Sequence, residues 1–185
     1  MRTFIAIDLE GGLKAALREL VGKLETLADN VKWVNAGGLH LTLKFLGETP
    51  DEKAAEIAET LRPLCAGHAA FPMRFKGMGF FPPGRNHPRV IWVGVESDRR
   101  LAGLQTDIEE AVRKFGYERE KRDFRPHLTV GRVRFPARMD RLLQEVERRA
   151  EEFFGEMPVV KVTFFRSVLA PSGAEYSVLG EFPLS

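Results

Sequence analysis

The amino-acid sequence predicts an α+β protein of two similar β-α-β-α-β lobes that face each other across a cleft. Three observations carry that expectation. The tetrapeptide His40-Leu41-Thr42-Leu43 recurs as His127-Leu128-Thr129-Val130, 87 residues further on. The same offset sets Phe4-Ile5-Ala6 on Ile91-Trp92-Val93, and Leu17, Val21 and Leu24 on Leu104, Ile108 and Ala111. Strand-like and helix-like apolar periods alternate through both halves. Residues 1–87 and 88–185 therefore read as approximate repeats within a single bilobal domain.

Phe4 to Leu9 is an apolar run of strand length. Leu13, Leu17, Leu20, Leu24 and Leu27 follow at steps of three and four, the period of a helix with one buried face. Alternation then predicts a strand from about Leu39 to Leu46, stopping at Gly47, that carries the first His-x-Thr. Thr49-Pro50-Asp51-Glu52 reads as a capping box with proline at the first helical position. The helix it opens would bury Ala54, Ile57, Ala58 and Leu61 and end near Pro63 and Gly67. Phe71 to Phe81 is the next strand, ahead of the turn-rich segment Pro82 to Pro88.

The second half repeats this order. Val90 to Val95 is a strand, and Ser97 or Asp98 can cap a helix carrying Leu101, Leu104, Ile108, Val112 and Phe115. The second His-x-Thr strand spans Arg125 to Val133, and a helix runs through Met139, Leu142, Leu143, Val146 and Phe153. Strands at Val159 to Leu169 and Tyr176 to Phe182 follow.

At 185 residues, with 44% hydrophobic and 29% charged side chains, the chain has the composition of a soluble globular domain with a sizeable core. No apolar run approaches the roughly 20 residues needed to span a bilayer, and the N-terminal segment turns acidic at Asp8, too soon for a signal peptide. A single cysteine, Cys65, excludes an internal disulfide and a cysteine-rich zinc site. A cytoplasmic monomer is the default expectation. The net charge of +2 hides an uneven distribution. Lys121, Arg122, Arg125, Arg132, Arg134, Arg138 and Arg141 face only Asp123 and Asp140 in that stretch, and they surround the second motif. Such a stretch is often only a solvated face, but its position around His127 points to an anionic partner, which guanidinium suits by bidentate binding.

Each His-x-Thr strand would present an imidazole and a hydroxyl on one face, anchored by apolar residues on the other. Cleaving a phosphodiester needs a base for the nucleophile, an acid for the leaving oxygen, and donors for the phosphoryl oxygens. Two imidazoles can serve as base and acid near neutral pH. Thr42 and Thr129 can donate to non-bridging oxygens. Lys44 would share the face of His40 and Thr42 if the strand stays regular. Arg125 and Arg132 flank the second motif, where Gly131 can bend the strand. One such triplet is common by chance and usually structural; two in equivalent places are harder to explain by packing.

The other candidates have plainer readings. His68 reads as a surface residue and His87 as part of a solvated turn. Phe80 and Phe81 could stack on a base but suit strand-end packing better, and Trp33 and Trp92 read as core. Asp123 either orients His127 or balances nearby arginines. A metal on His40 and His127 lacks a third ligand in the pattern, and no P-loop or nucleotidyl-transfer lysine motif is present. An RNA-binding module, with the histidines only contacting phosphate, is the alternative of a different class.

His40-Leu41-Thr42-Leu43 with Lys44-Phe45-Leu46-Gly47-Glu48, and Arg125-Pro126-His127-Leu128-Thr129-Val130-Gly131-Arg132, resemble the two HxTx signatures of the 2H phosphoesterases. Arg2-Thr3-Phe4-Ile5-Ala6-Ile7 and Pro88-Arg89-Val90-Ile91-Trp92-Val93-Gly94-Val95 extend the likeness to the RNA 2′,3′-cyclic phosphodiesterases, also called 2′-5′ RNA ligases. The resemblance implies two antiparallel sheets with outer helices, a central cleft and pseudo-twofold symmetry. It implies hydrolysis of RNA 2′,3′-cyclic phosphate ends to 2′-phosphates without metal or cofactor, and 2′-5′ ligation in reverse. It also implies that His40 is the proton donor to O3′ and His127 the base for water, roles that symmetry alone leaves open. Another small cyclic phosphate or a 2′-5′ linkage is the related alternative substrate.

Overall fold

The computed structural model describes residues 1–83, 87–170 and 173–185. Nine strands and four helices are found among them. In chain order they are β1 (Arg2–Asp8), α1 (Gly11–Glu25), β2 (Val31–Trp33), β3 (His40–Glu48), α2 (Asp51–Ala66), β4 (Phe71–Phe81), β5 (Val90–Ser97) and α3 (Arg99–Arg113). The chain continues through β6 (His127–Val133), α4 (Asp140–Arg148), β7 (Phe153–Val159), β8 (Lys161–Ala170) and β9 (Gly173–Pro183). A short 3-10 turn at Ala36–Gly38 leads into β3. No helix among the described residues is long and apolar enough to cross a membrane.

Two antiparallel sheets form, in the orders β3-β1-β8-β9 and β2-β6-β5-β4-β7. The sheets do not coincide with the sequence halves. The first takes β1 and β3 from one half and β8 and β9 from the other; the second combines β5, β6 and β7 with β2 and β4. The helices cross as well. α1 follows β1 yet packs against β7 and β2 of the other sheet, and α3 follows β5 yet packs against β3 and α2. A strand's periodicity reports which of its faces is buried, whereas its sheet is chosen by long-range pairing. The exchanged elements enclose a continuous core from Ile5 to Phe182, with Ile57, Leu61, Phe75, Ile108, Leu128 and Phe164 fully buried.

The apolar stripes on the helices are buried over most of their expected positions, but Leu27 and Phe115 fall past the ends of α1 and α3 and, like Ala58 of α2, are only half-buried. In α1 the buried positions are Leu13, Leu17, Leu20, Val21 and Leu24, and in α3 they are Leu101, Leu104, Ile108 and Val112. Asp98 caps α3 by accepting a bond from the Arg100 N–H. The expected Thr49 capping box is absent. Pro50 occupies the cap position without a side-chain bond. Thr49 instead turns inward, its hydroxyl 2.8 Å from both the Thr3 and the Tyr117 hydroxyls. Asp51 and Glu52 still place negative charge at the positive end of α2.

Phe153, expected at the end of a helix, begins β7, because α4 stops at Arg148 and the chain pairs back along β4. The seven-residue step from Val146 imitates a helical period. Strand β2 has no counterpart among the expected elements, since three residues are too short to show alternation.

Pairing also refines the internal repeat. In one sheet Asp8 lies opposite His40, Ile7 opposite Leu41, Ala6 opposite Thr42 and Ile5 opposite Lys44. In the other, Gly94 lies opposite His127, Val93 opposite Leu128, Trp92 opposite Thr129 and Ile91 opposite Gly131. Ala6 therefore corresponds to Trp92, not to Val93 as the 87-residue offset had it. A one-residue shift in a strand exchanges its faces. The structural match puts Ile5 and Ile91 both in the core, each with no exposure.

Candidate functional site

Both motif strands carry a β-bulge immediately after their threonine. Leu43 is the extra residue in β3 and Val130 the extra residue in β6. Each bulge keeps two consecutive residues on the core side, so Lys44 and Gly131 are buried and alternation resumes one residue late. His40 and Thr42 then share the cleft face with Phe45, and His127 and Thr129 share it with Arg132. The regular strand that would have set Lys44 beside Thr42 on the cleft face does not form; Lys44 is buried and only borders the cavity.

A cavity of about 570 Å³ lies between the sheets, and its wall includes His40, Thr42, Lys44, Arg125, His127, Thr129 and Arg132. The structure thus gathers every residue singled out from the two motifs and their flanks. Lys44 contributes differently from the arginines. Its ammonium donates to Glu109 Oε2 at 2.7 Å and to the Glu118 carbonyl at 2.6 Å, and the Lys44 and Glu109 side chains are both buried. Arg125 and Arg132 have no ion pair among the described residues and are exposed.

The two imidazoles are held in the same way. His40 Nδ1 lies 2.7 Å from the Gly38 carbonyl, and His127 Nδ1 lies 2.7 Å from the Arg125 carbonyl. A carbonyl only accepts, so Nδ1 carries the proton in each ring and Nε2 is left for the cavity. In both motifs the acceptor stands two residues before the histidine. Asp123 lines the same cavity but does not orient His127; the Arg125 backbone does.

The surroundings of the rings differ. His40 stacks on Phe4 at 4.5 Å, with Tyr176 edge-on at 5.1 Å and Phe165 at 5.9 Å. Burial pushes its pKa below the ordinary value of 6.5, opposed by the Gly38 carbonyl and Asp8, while Lys14 reinforces the shift. Among the described residues His127 meets one ring, Phe81, edge-on at 5.4 Å. Phe81 also packs against Trp92 at 5.3 Å, so it supports the site from the strand end.

Tyr176, Phe165 and Phe4 are neighbours of His40 that the sequence did not reveal. Phe4 and Phe165 lie opposite each other on adjacent strands, and Tyr176 arrives from the last strand. Their apolar character was visible, but it carries no signal of which histidine they would meet.

The remaining candidates fall elsewhere. His68 Nε2 is 3.0 Å from Asp107 and is not part of the cavity wall. His87 is exposed with a positive φ of 60°, and Gly84, Arg85 and Asn86 of its turn lie outside the described residues. The Cys65 thiol is buried and pushed up to about 12 by that burial, which denies it thiolate chemistry near neutral pH. Among the described residues no three His, Cys, Asp or Glu side chains gather as a metal-binding group.

Two sheets that each present an imidazole and a hydroxyl to one cavity define a bilobal, two-histidine architecture. Sequence comparison gives it a lineage. The chain belongs to the 2′-5′ RNA ligase superfamily, whose family model matches residues 13–169. It is 35% identical over 184 residues to an RNA 2′,3′-cyclic phosphodiesterase of Methanothermobacter thermautotrophicus, covering 100% of this chain and 99% of the relative. The corresponding Archaeoglobus fulgidus protein of the same name is 37% identical over 183 residues, with coverage of 98% and 99%. A crystal structure of a Thermus thermophilus protein, 31% identical, matches with a TM-score of 0.84 over 100% of this chain and 98% of that one.

Proposed function

We propose that this protein hydrolyses the 2′,3′-cyclic phosphate at an RNA end to a 2′-phosphate, and that the same site can run in reverse as a 2′-5′ ligase. The observation that carries the reading is the matched Nδ1–carbonyl bond in both motifs. It leaves Nε2 of each ring free for proton transfer, and both histidines line one cavity together with Thr42, Thr129, Arg125 and Arg132. The names of full-length relatives supply the substrate class.

In the proposed reaction His127 Nε2 takes a proton from water as its oxygen attacks phosphorus. The P–O3′ bond breaks, and His40 Nε2 gives its proton to O3′. Thr42 and Thr129 donate to the non-bridging oxygens, and Arg125 and Arg132 balance their charge. The burial that lowers the His40 pKa leaves its ring neutral in the free enzyme near pH 7. The anionic phosphate beside Nε2 restores its proton affinity, so the acid is charged where the substrate is bound. This reading makes the protein a cytoplasmic hydrolase that works as a monomer, without a cofactor.

The test is turnover of an RNA oligonucleotide with a 2′,3′-cyclic phosphate end, with the product end identified by mass spectrometry. A 2′-phosphate is expected, in the presence of a chelator as in its absence; a 3′-phosphate would overturn the assignment of the leaving oxygen. His40→Ala and His127→Ala should each abolish turnover. On a nitrophenyl phosphodiester, whose leaving group needs no proton, His40→Ala should recover activity and His127→Ala should not. The opposite pattern would exchange the two roles. RNA binding with no product from the wild-type protein would favour the non-catalytic RNA-binding alternative.

A further inference from the structure

Beside the motif cavity lies a second one of about 940 Å³, and the two share Val34, Gly38, Arg132 and Tyr176 in their walls. Tyr176 stands at the partition. Its ring is edge-on to His40 on one side, and it packs so closely on Gly38 that a Cβ there would come within 2.9 Å of the ring. The second cavity therefore adjoins the one that both histidines line.

Its wall contains an arrangement that protein contacts alone leave unbalanced. Lys32 of β2 and Arg132 of β6 are directly opposite each other in the antiparallel ladder, and both are exposed. Like charges at opposed positions of a sheet repel each other and cost stability. Neither side chain has an ion pair among the described residues. Arg18 joins them from α1, also exposed and unpaired among the described residues. The carboxylates of Glu25 and Glu175 lie in the same wall, so three cations stand against two anions. Trp33 and Tyr176 add aromatic faces.

We infer that this second cavity is the track for the single-stranded RNA immediately upstream of the cyclic end, an inference that rests on the function proposed above. Lys32 and Arg132 bridge a backbone phosphate, which relieves their cross-strand repulsion. Arg18 meets the next phosphate along the strand. Trp33 and Tyr176 offer stacking surfaces for unpaired bases, the usual partners of aromatic side chains in single-strand recognition. Arg132, on the wall of both cavities, links the reacting phosphate to its upstream neighbour.

The experiment compares a 2′,3′-cyclic mononucleotide with oligonucleotides of two to six residues ending in the same cyclic phosphate. The wild-type protein is set beside Arg18→Ala/Lys32→Ala, which changes exposed residues with no assigned part in the chemistry. For the wild type, KM should fall as the oligonucleotide lengthens. The double variant should raise oligonucleotide KM roughly tenfold, leaving kcat and all mononucleotide kinetics unchanged. The slope of log affinity against log salt should flatten by roughly 0.7 for each phosphate that the variant no longer neutralises. Equal wild-type KM for mononucleotide and oligonucleotide, or a variant that changes both alike, would overturn the track. So would a variant that impairs only ligation, since the cavity would then serve the 5′-hydroxyl strand. If the wild type turned over neither substrate, the proposed function itself would fail. Fluorescence anisotropy with a labelled oligonucleotide then decides the track alone, and unchanged affinity in the double variant would refute it.

Discussion

Replacing Lys44 with Met should destabilise the fold severely, and the reason lies beneath the motif rather than in the cleft. The Lys44 and Glu109 side chains are only 7% and 3% exposed, and their charged atoms are 2.7 Å apart. The ammonium also holds the Glu118 carbonyl, and the carboxylate accepts from the Glu120 N–H at 3.2 Å and from Gln105 Nε2 at 3.3 Å. Lys44→Met leaves the Glu109 carboxylate buried with two neutral donors and no cation. Removing one partner of a buried pair costs about 3–5 kcal/mol. Lys44→Met/Glu109→Gln removes the stranded charge and keeps an acceptor for the Glu120 N–H, so it should be more stable than the single variant.

Urea unfolding of the wild type, both single variants and the double closes a thermodynamic cycle and gives the coupling directly. The double variant also separates two roles for the lysine. If Lys44 anchors the segment leading to Arg125, and Arg125 and Arg132 bind the phosphate, the folded double variant keeps its KM. A Lys44→Met cost below about 1 kcal/mol, the range of a solvent-exposed pair, would refute the buried-strut argument. A well-folded double variant with a large loss in KM would return Lys44 to the substrate.

Two further predictions concern the site. The His40 ring should titrate below 6.5 by NMR, and Tyr176→Ala, which opens its surroundings to water, should move it upward. Since the folded-state pKa is depressed, the unfolded chain binds more protons in this window. The His40 contribution to stability is therefore present above about pH 6.5 and is lost as pH falls through the lowered folded value; a free-enzyme titration above 6.5 would contradict this environment. Thr42→Val and Thr129→Val should each lower kcat by about 10²–10³-fold, the usual loss for one donor to a developing phosphoryl charge. Steady-state kinetics showing no kcat loss in either would remove the hydroxyls from the mechanism.

Much of this site was legible because strand alternation is a local rule. It pairs His40 with Thr42 and His127 with Thr129 on one face whatever the rest of the chain does, and both pairs line the cavity. The helix stripes were legible for the same reason. Lys44 and Arg132 were not settled by alternation, because bulges at Leu43 and Val130 interrupt it and are defined by the partner strand. Tyr176 was invisible as a site residue, since its approach to His40 depends on β9 pairing with β8 and β8 with β1.

By itself the sequence determined two equivalent strands, their chemistry-bearing faces and a family resemblance that the relatives support. The tertiary structure decided that these strands belong to two sheets, each assembled from both halves of the chain. It also decided that one lysine is buried in an ion pair at the cavity wall while the neighbouring arginines stay exposed, and that among the described residues one imidazole packs among three aromatic rings while the other meets one. These outcomes depend on register, bulges and long-range pairing. Such pairing brings together residues more than a hundred positions apart, and no periodicity in a linear sequence records it.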